Sequence, residues 1–102
     1  MNMDQLFKQA QQFQKRIAEM QEDLGSRRVT SSVGGGMVQA TVNGRHELVA
    51  LTIEPTVIDP ADPTLLQDLV IAAVNDAHSK AAAMAQEEMG KLTGGMRIPG
   101  LF

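Results

Sequence analysis

A chain of 102 residues with a formal net charge of −3 has length for one hydrophobic core and not for two. It has no cysteine, which excludes disulfides and thiolate metal sites, and neither an apolar run long enough to span a bilayer nor a signal-peptide core is present; a soluble cytoplasmic protein is expected. With three Phe, no Trp and no Tyr, the core falls to aliphatic side chains and Met, so burial is expected to be completed by a second subunit, as a homodimer.

The first element comes from spacing. Met3, Leu6, Ala10, Phe13, Ile17, Met20 and Leu24 alternate at intervals of three and four, the a/d seam of a heptad pattern, and predict a helix over 3–24 closed by Gly25. A seam this narrow fits against another helix, and periodicity leaves open whether that helix belongs to the same chain or to a partner.

The region 27–54 predicts three strands: Val29–Val33, Met37–Val42 and Arg45–Ile53, with Asn43-Gly44 as a hairpin turn between the last two. A two-residue turn sets Val42 opposite Arg45, Ala40 opposite Glu47 and Val38 opposite Val49. One face then carries Val38, Ala40, Val42, Val49 and Leu51; the other carries Met37, Leu48 and Ala50 beside Gln39, Thr41 and His46. A sheet with two partly apolar faces needs a cover on each, so Met37, Leu48 and Ala50 are the expected dimer interface.

Gly34-Gly35-Gly36 poses a choice between a phosphate cradle and a bend. A cradle runs from a strand into a helix N-terminus and ends in Lys and Ser/Thr; here the triplet runs into Met37 and a strand, so a bend is expected. The Pro- and Asp-rich segment Glu54–Thr64 leads into a second helix over 63–93, with Asp62 as its cap, Pro63 in its first turn and Gly94-Gly95 as its stop. The tail, 94–102, is a loose segment or a docking strand. The order is α-β-β-β-α: an α+β fold with a small three-stranded antiparallel sheet and two long flanking helices, in a single domain.

Catalytic constellations do not assemble from this sequence. His46 and His78 fall on different elements without ligands at metal spacing, Asp62 is a cap, and Asp68 and Asp76 fall on the polar side of the second helix. Ser31 and Ser32 have no base nearby in sequence, although folding could bring His78 close. No enzyme, cofactor, metal or small-molecule substrate is expected. Charge is more informative, because residues 46–79 hold Glu47, Glu54, Asp59, Asp62, Asp68 and Asp76 and no Lys or Arg. Lys8, Lys15, Arg16, Arg27 and Arg28 crowd the first helix and its exit, and Lys80, Lys91 and Arg97 the far end. Lys8 and Lys15 sit opposite the apolar seam, a face able to lie along a phosphate backbone. At helical spacing Glu19 competes for Lys15 and Arg16, and Glu87 for Lys91.

The blocks "LFKQAQQFQKRIAEMQEDL", "GGGMVQATVNGRHELVALTIEP", "DLVIAAVNDAHSKA" and "LTGGM" resemble the bacterial YbaB/EbfC family of nucleoid-associated proteins, in order and over nearly the entire chain. The resemblance implies long helices flanking a small antiparallel sheet, a homodimer with protruding helical arms, and binding of double-stranded DNA in the nucleoid with little base readout, so as to organise the chromosome. Lys8, Lys15 and Arg16, with Arg27 and Arg28 at the helix exit and Lys80 and Lys91 on the second helix, are the candidate DNA contacts. The alternative is a dimeric protein-docking module that uses the Met-rich second helix and the "GGMRIPGLF" tail.

Overall fold

The computed structural model describes residues 2–95, so the expectations for the tail beyond Gly95 lie outside the described residues. Its elements are α1 (Met3–Ser26), β1 (Arg28–Val33), β2 (Val38–Asn43), β3 (Leu48–Ile53), a single 3-10 turn (Pro55–Val57) and α2 (Pro63–Gly95). The strands form one antiparallel sheet in the order β1-β2-β3. The α-β-β-β-α order is the one expected.

Local chemistry accounts for the ends of α1. The Asn2 side chain accepts the Gln5 N–H at 2.9 Å, and Asp4 lies in the positive first turn. At the other end the helix runs past Gly25 to Ser26, whose hydroxyl donates to the Asp23 carbonyl at 2.7 Å. Gly25 is therefore an interior residue. It leaves room for Arg45, whose Nε would lie 2.8 Å from a Cβ at this position.

The glycine triplet is the bend expected of it. Gly34, Gly35 and Gly36 all have positive φ (63°, 69° and 94°), and the Gly36 N–H returns to the Val33 carbonyl. Met37 belongs to this turn and not to β2, and it packs on the core.

The second hairpin departs from expectation. Residues Gly44–Glu47 form the connection in place of a two-residue turn, held by Asn43: its Oδ1 accepts the N–H groups of Arg45 (2.9 Å) and Glu47 (3.0 Å), and its Nδ2 donates to Glu47 Oε1 (2.9 Å). His46 takes the left-handed conformation that closes the loop, at φ 65°. The pairing shifts accordingly. Val42 faces Leu48, Ala40 faces Leu51 and Val38 faces Ile53, with Val49 bulged out between the Thr41–Ala50 and Val42–Leu48 pairs. Because paired residues share a face, Leu48 joins Val42 on the core side while Ala50 joins Thr41 on the outer side. The expected grouping of Met37, Leu48 and Ala50 on one outer face is thus overturned, and that outer face is the polar one: Thr30, Ser32, Gln39, Thr41 and Thr52.

The core joins Val38, Ala40 and Val42 of β2 to Val57 and to Ala73, Ala77 and Ala81 of α2, with Val29, Val33, Leu66, Val70 and Val74 around them. Alanines every fourth residue keep one face of α2 low enough to lie close on the sheet. The helix packs on β1 and β2. β3 lies beyond its edge, so Leu48, Val49 and Leu51 stay 40–45% exposed although they occupy the core side.

Candidate nucleic-acid interface

One junction positions α1. The Gly44 N–H donates to the carbonyls of Leu24 (2.9 Å) and Arg27 (3.2 Å), and Leu24 is the buried residue of the helix. A Cβ at Gly44 would stand 2.1 Å from the Leu24 carbonyl oxygen, so the hairpin glycine lets two backbones touch. Beside this junction Met20, Gln21, Leu24, Gly44, Arg45, Ala85 and Met89 line an open cleft of about 470 Å³ between the two helices. Met20, like Ile17 and Phe13 beyond the cleft, is half-buried, while Met3, Leu6, Phe7 and Ala10 are exposed. The result is a long arm on a small body: the molecule measures 70 × 23 × 16 Å, with a radius of gyration of 19.6 Å where a compact chain of this length has about 13 Å.

The seven candidate contacts divide into two groups. Lys8, Lys15 and Arg16 are exposed on α1, and among the described residues none is within ion-pair distance of a carboxylate, Glu19 included. Arg28 is also unpaired, at the end of β1 on the outer face of the sheet, opposite Asn43. The other three are engaged. Arg27 bonds Asp23 and Glu88, each at 2.9 Å, and these carboxylates hold its pKa above the ordinary value, Asp23 more than Glu88. Lys91 pairs with Glu88 at 3.3 Å and not with Glu87, and Lys80 pairs with Asp76 at 3.4 Å. The Lys91 hydrogen bond, followed by the charge of Arg27, draws the Glu88 carboxyl below its usual range. Arg45 is an exposed cation in the cleft wall that sequence reasoning passed over; its only signal was a position beside the hairpin glycine.

Two contacts join residues far apart in sequence. The buried Ser31 hydroxyl donates to the Asp76 carboxylate, so Asp76, exposed on the polar side of α2 as expected, also reaches the sheet. That bond, with Lys80 beside it, lowers the Asp76 pKa. Asp76 and not His78 is the partner of Ser31, and with no exposed surface Ser31 is out of a substrate's reach. His78 instead places Nε2 3.1 Å from the His46 carbonyl, and the two rings stand edge to face with centroids 6.3 Å apart, which closes the hairpin onto α2.

An exposed arm with unpaired cations is suited to lie along an anionic polymer, and comparison with known proteins points the same way. Residues 1–96 match the YbaB/EbfC DNA-binding family. The chain is 48% identical to a nucleoid-associated protein of Pelotomaculum thermopropionicum, over 99% of this chain and 96% of that one. It is 52% identical to one of a Thermoanaerobacter species (99% and 91%) and 49% identical to one of Clostridium acetobutylicum (98% and 89%). The crystal structure of an uncharacterized protein from Helicobacter pylori superposes with a TM-score of 0.74 at 28% identity, covering 94% of this chain and 97% of the other. The chain belongs to the YbaB/EbfC DNA-binding family.

Proposed function

We propose that this protein is a non-enzymatic, nucleoid-associated DNA-binding protein of the bacterial cytoplasm that binds duplex DNA as a homodimer, with little base readout, and so helps to organise the chromosome. The observation that carries the reading is the row Lys8, Lys15 and Arg16, exposed and unpaired on an arm of a chain in this family. Lys8 and Lys15 are one heptad apart, about 10 Å along one face of the helix, and point away from the apolar seam toward solvent and phosphate. Arg28 and Arg45, unpaired among the described residues, add charge near the body, whereas Arg27, Lys80 and Lys91 must first give up their carboxylates.

The homodimer finds its support in the uncovered apolar strip of β3. Leu48, Val49 and Leu51 adjoin the flank of α2 that bears His78, and Ile71, one heptad before His78, lies on that flank at 58% exposure. Together they make a valley that a second copy would fill.

Binding to unrelated duplexes across a salt series tests the reading. Each phosphate neutralised releases counterions and contributes about −0.9 to the slope of log affinity against log salt. Six cations from the two α1 helices of a dimer therefore give a slope no steeper than about −5 from the arms, similar for every sequence. Affinity independent of salt, or confined to one sequence, would overturn it.

A further inference from the structure

Among the described residues, the apolar seam of α1 is longer than anything that covers it. Met20 and Leu24 stand beside Met89 and Ala85 across the cleft, with the two helices running in opposite directions. Equal helical rise then brings Gly95, the last described residue of α2, roughly opposite Gln14. Residues 3–13 project about 15 Å past it. There Met3, Leu6 and Phe7 are 72%, 55% and 63% exposed, around a shallow groove of about 150 Å³ that Ala10 completes.

We propose that this projecting half-seam pairs, antiparallel, with the same half-seam of a copy in a neighbouring dimer, and so joins dimers side by side on DNA. The inference rests on the DNA-binding reading above. Three features select the occupant. A two-residue-wide a/d stripe is complementary to a helix and too narrow for a sheet. Its flanking heptad positions hold Asn2, Phe7, Gln9 and Gln14, so self-pairing opposes no like charges, while Lys8 and Lys15 remain on the far side for phosphate. An antiparallel two-fold through the middle of the stripe sets Phe7 against Phe7 and Gln9 against Gln9; a parallel pair would set Phe7 against Asn2.

The stripe is short. Four seam residues and Phe7 from each copy bury less than the about 1,200 Å² of a stable complex, so the contact fills only when copies are concentrated locally, as they are along a duplex. The consequence is cooperative binding on long DNA and none on DNA that holds a single dimer.

The chain has no native cysteine, so one introduced thiol is a clean probe. With Gln9→Cys, oxidation on a duplex several sites long, followed by nuclease digestion and native sedimentation, is expected to give species larger than a dimer; Gln12→Cys, off the seam, should give none. The Leu6→Gln/Phe7→Gln chain should lose cooperativity on long duplex and keep wild-type affinity for a single-site duplex. Cross-links confined to one dimer, or none, would overturn the proposal, as would cooperativity retained in the double variant. Weakened single-site binding by that variant would assign the stripe to DNA contact, and an intrachain disulfide in a Gln9→Cys/Leu101→Cys double variant would assign it to the tail; either result overturns the pairing. If the unaltered chain failed to bind the single-site duplex, the DNA-binding reading would fall, and this inference with it.

Discussion

At Gly44 the chain has room for a hydrogen atom and for nothing larger, since a methyl group would overlap the Leu24 carbonyl 2.1 Å away. That neighbour is backbone and cannot swing aside. Gly44→Ala should cost about 2 kcal/mol or more, a fall in Tm on the order of 10 °C, with amide exchange in residues 24–27 accelerated beyond that of the sheet. A melting temperature within a degree or two of wild type would remove Gly44 as the docking point of the arm. The sequence made Asn43-Gly44 legible as a turn but not as a docking point, because the partner lies twenty residues away and spacing carries no such information. Ser31 and Asp76 were likewise visible only as separate residues. The pair makes its own prediction, because Asp76 is held below its unfolded pKa by the Ser31 hydroxyl and then by Lys80. A depressed carboxylate stabilises the fold fully above the ordinary aspartate range, and the contribution is lost as pH falls through the folded value. Asp76→Asn keeps an acceptor for Ser31 and removes the titration. Urea melts should therefore separate it from wild type at pH 7 and converge in acid; an equal gap at both pH values would deny the ionised pair its role.

At the scale of elements, both helices and the existence of three strands were legible, because heptad spacing, alternation and glycine punctuation are local signals. Register was not. The four-residue loop depends on the side chain of Asn43 and on the bulge at Val49, and its effect was to move Leu48 across the sheet from the face expected. The division of the cations was equally hidden, since Arg27 reaches Glu88 across sixty-one positions. It gives a test that sequence alone would not have framed. Lys15→Gln/Arg16→Gln removes four unpaired cations from a dimer and should flatten the salt slope by up to about 3.6, with affinity falling alike on all duplexes. Arg27→Gln/Lys80→Gln removes as many charges, but from ion pairs, and should leave the slope near wild type. Equal losses in the two variants would mean that DNA opens the pairs and that the arms hold no special place.

At the scale of the whole molecule the shape follows from what α2 leaves bare. The helix lies on β1 and β2, and the core of alanines and valines beneath it reaches β3 only at Ile53. A chain extended to 70 Å with a radius of gyration half again that of a compact domain has given up burial at two places, the arm and the edge strand. The aromatic-poor composition pointed to a missing partner, and the register supports the proposed place for it: on the core side of β3, where Leu48, Val49 and Leu51 are exposed, and not on the polar outer face with Ala50. Two substitutions on one strand separate these faces. Leu51→Asp puts a charge into the valley, where a partner would have to bury it unpaired, and should yield monomers by sedimentation at micromolar concentration. Ala50→Asp adds the same charge among Thr30, Thr41 and Gln39 and should leave the dimer intact. In the proposed dimer two arms would bind DNA with the avidity of linked sites, so the Leu51→Asp monomer should also lose duplex affinity by on the order of a hundredfold, with Lys8, Lys15 and Arg16 untouched. Dimers that survive Leu51→Asp and dissociate with Ala50→Asp would return the interface to the outer face of the sheet.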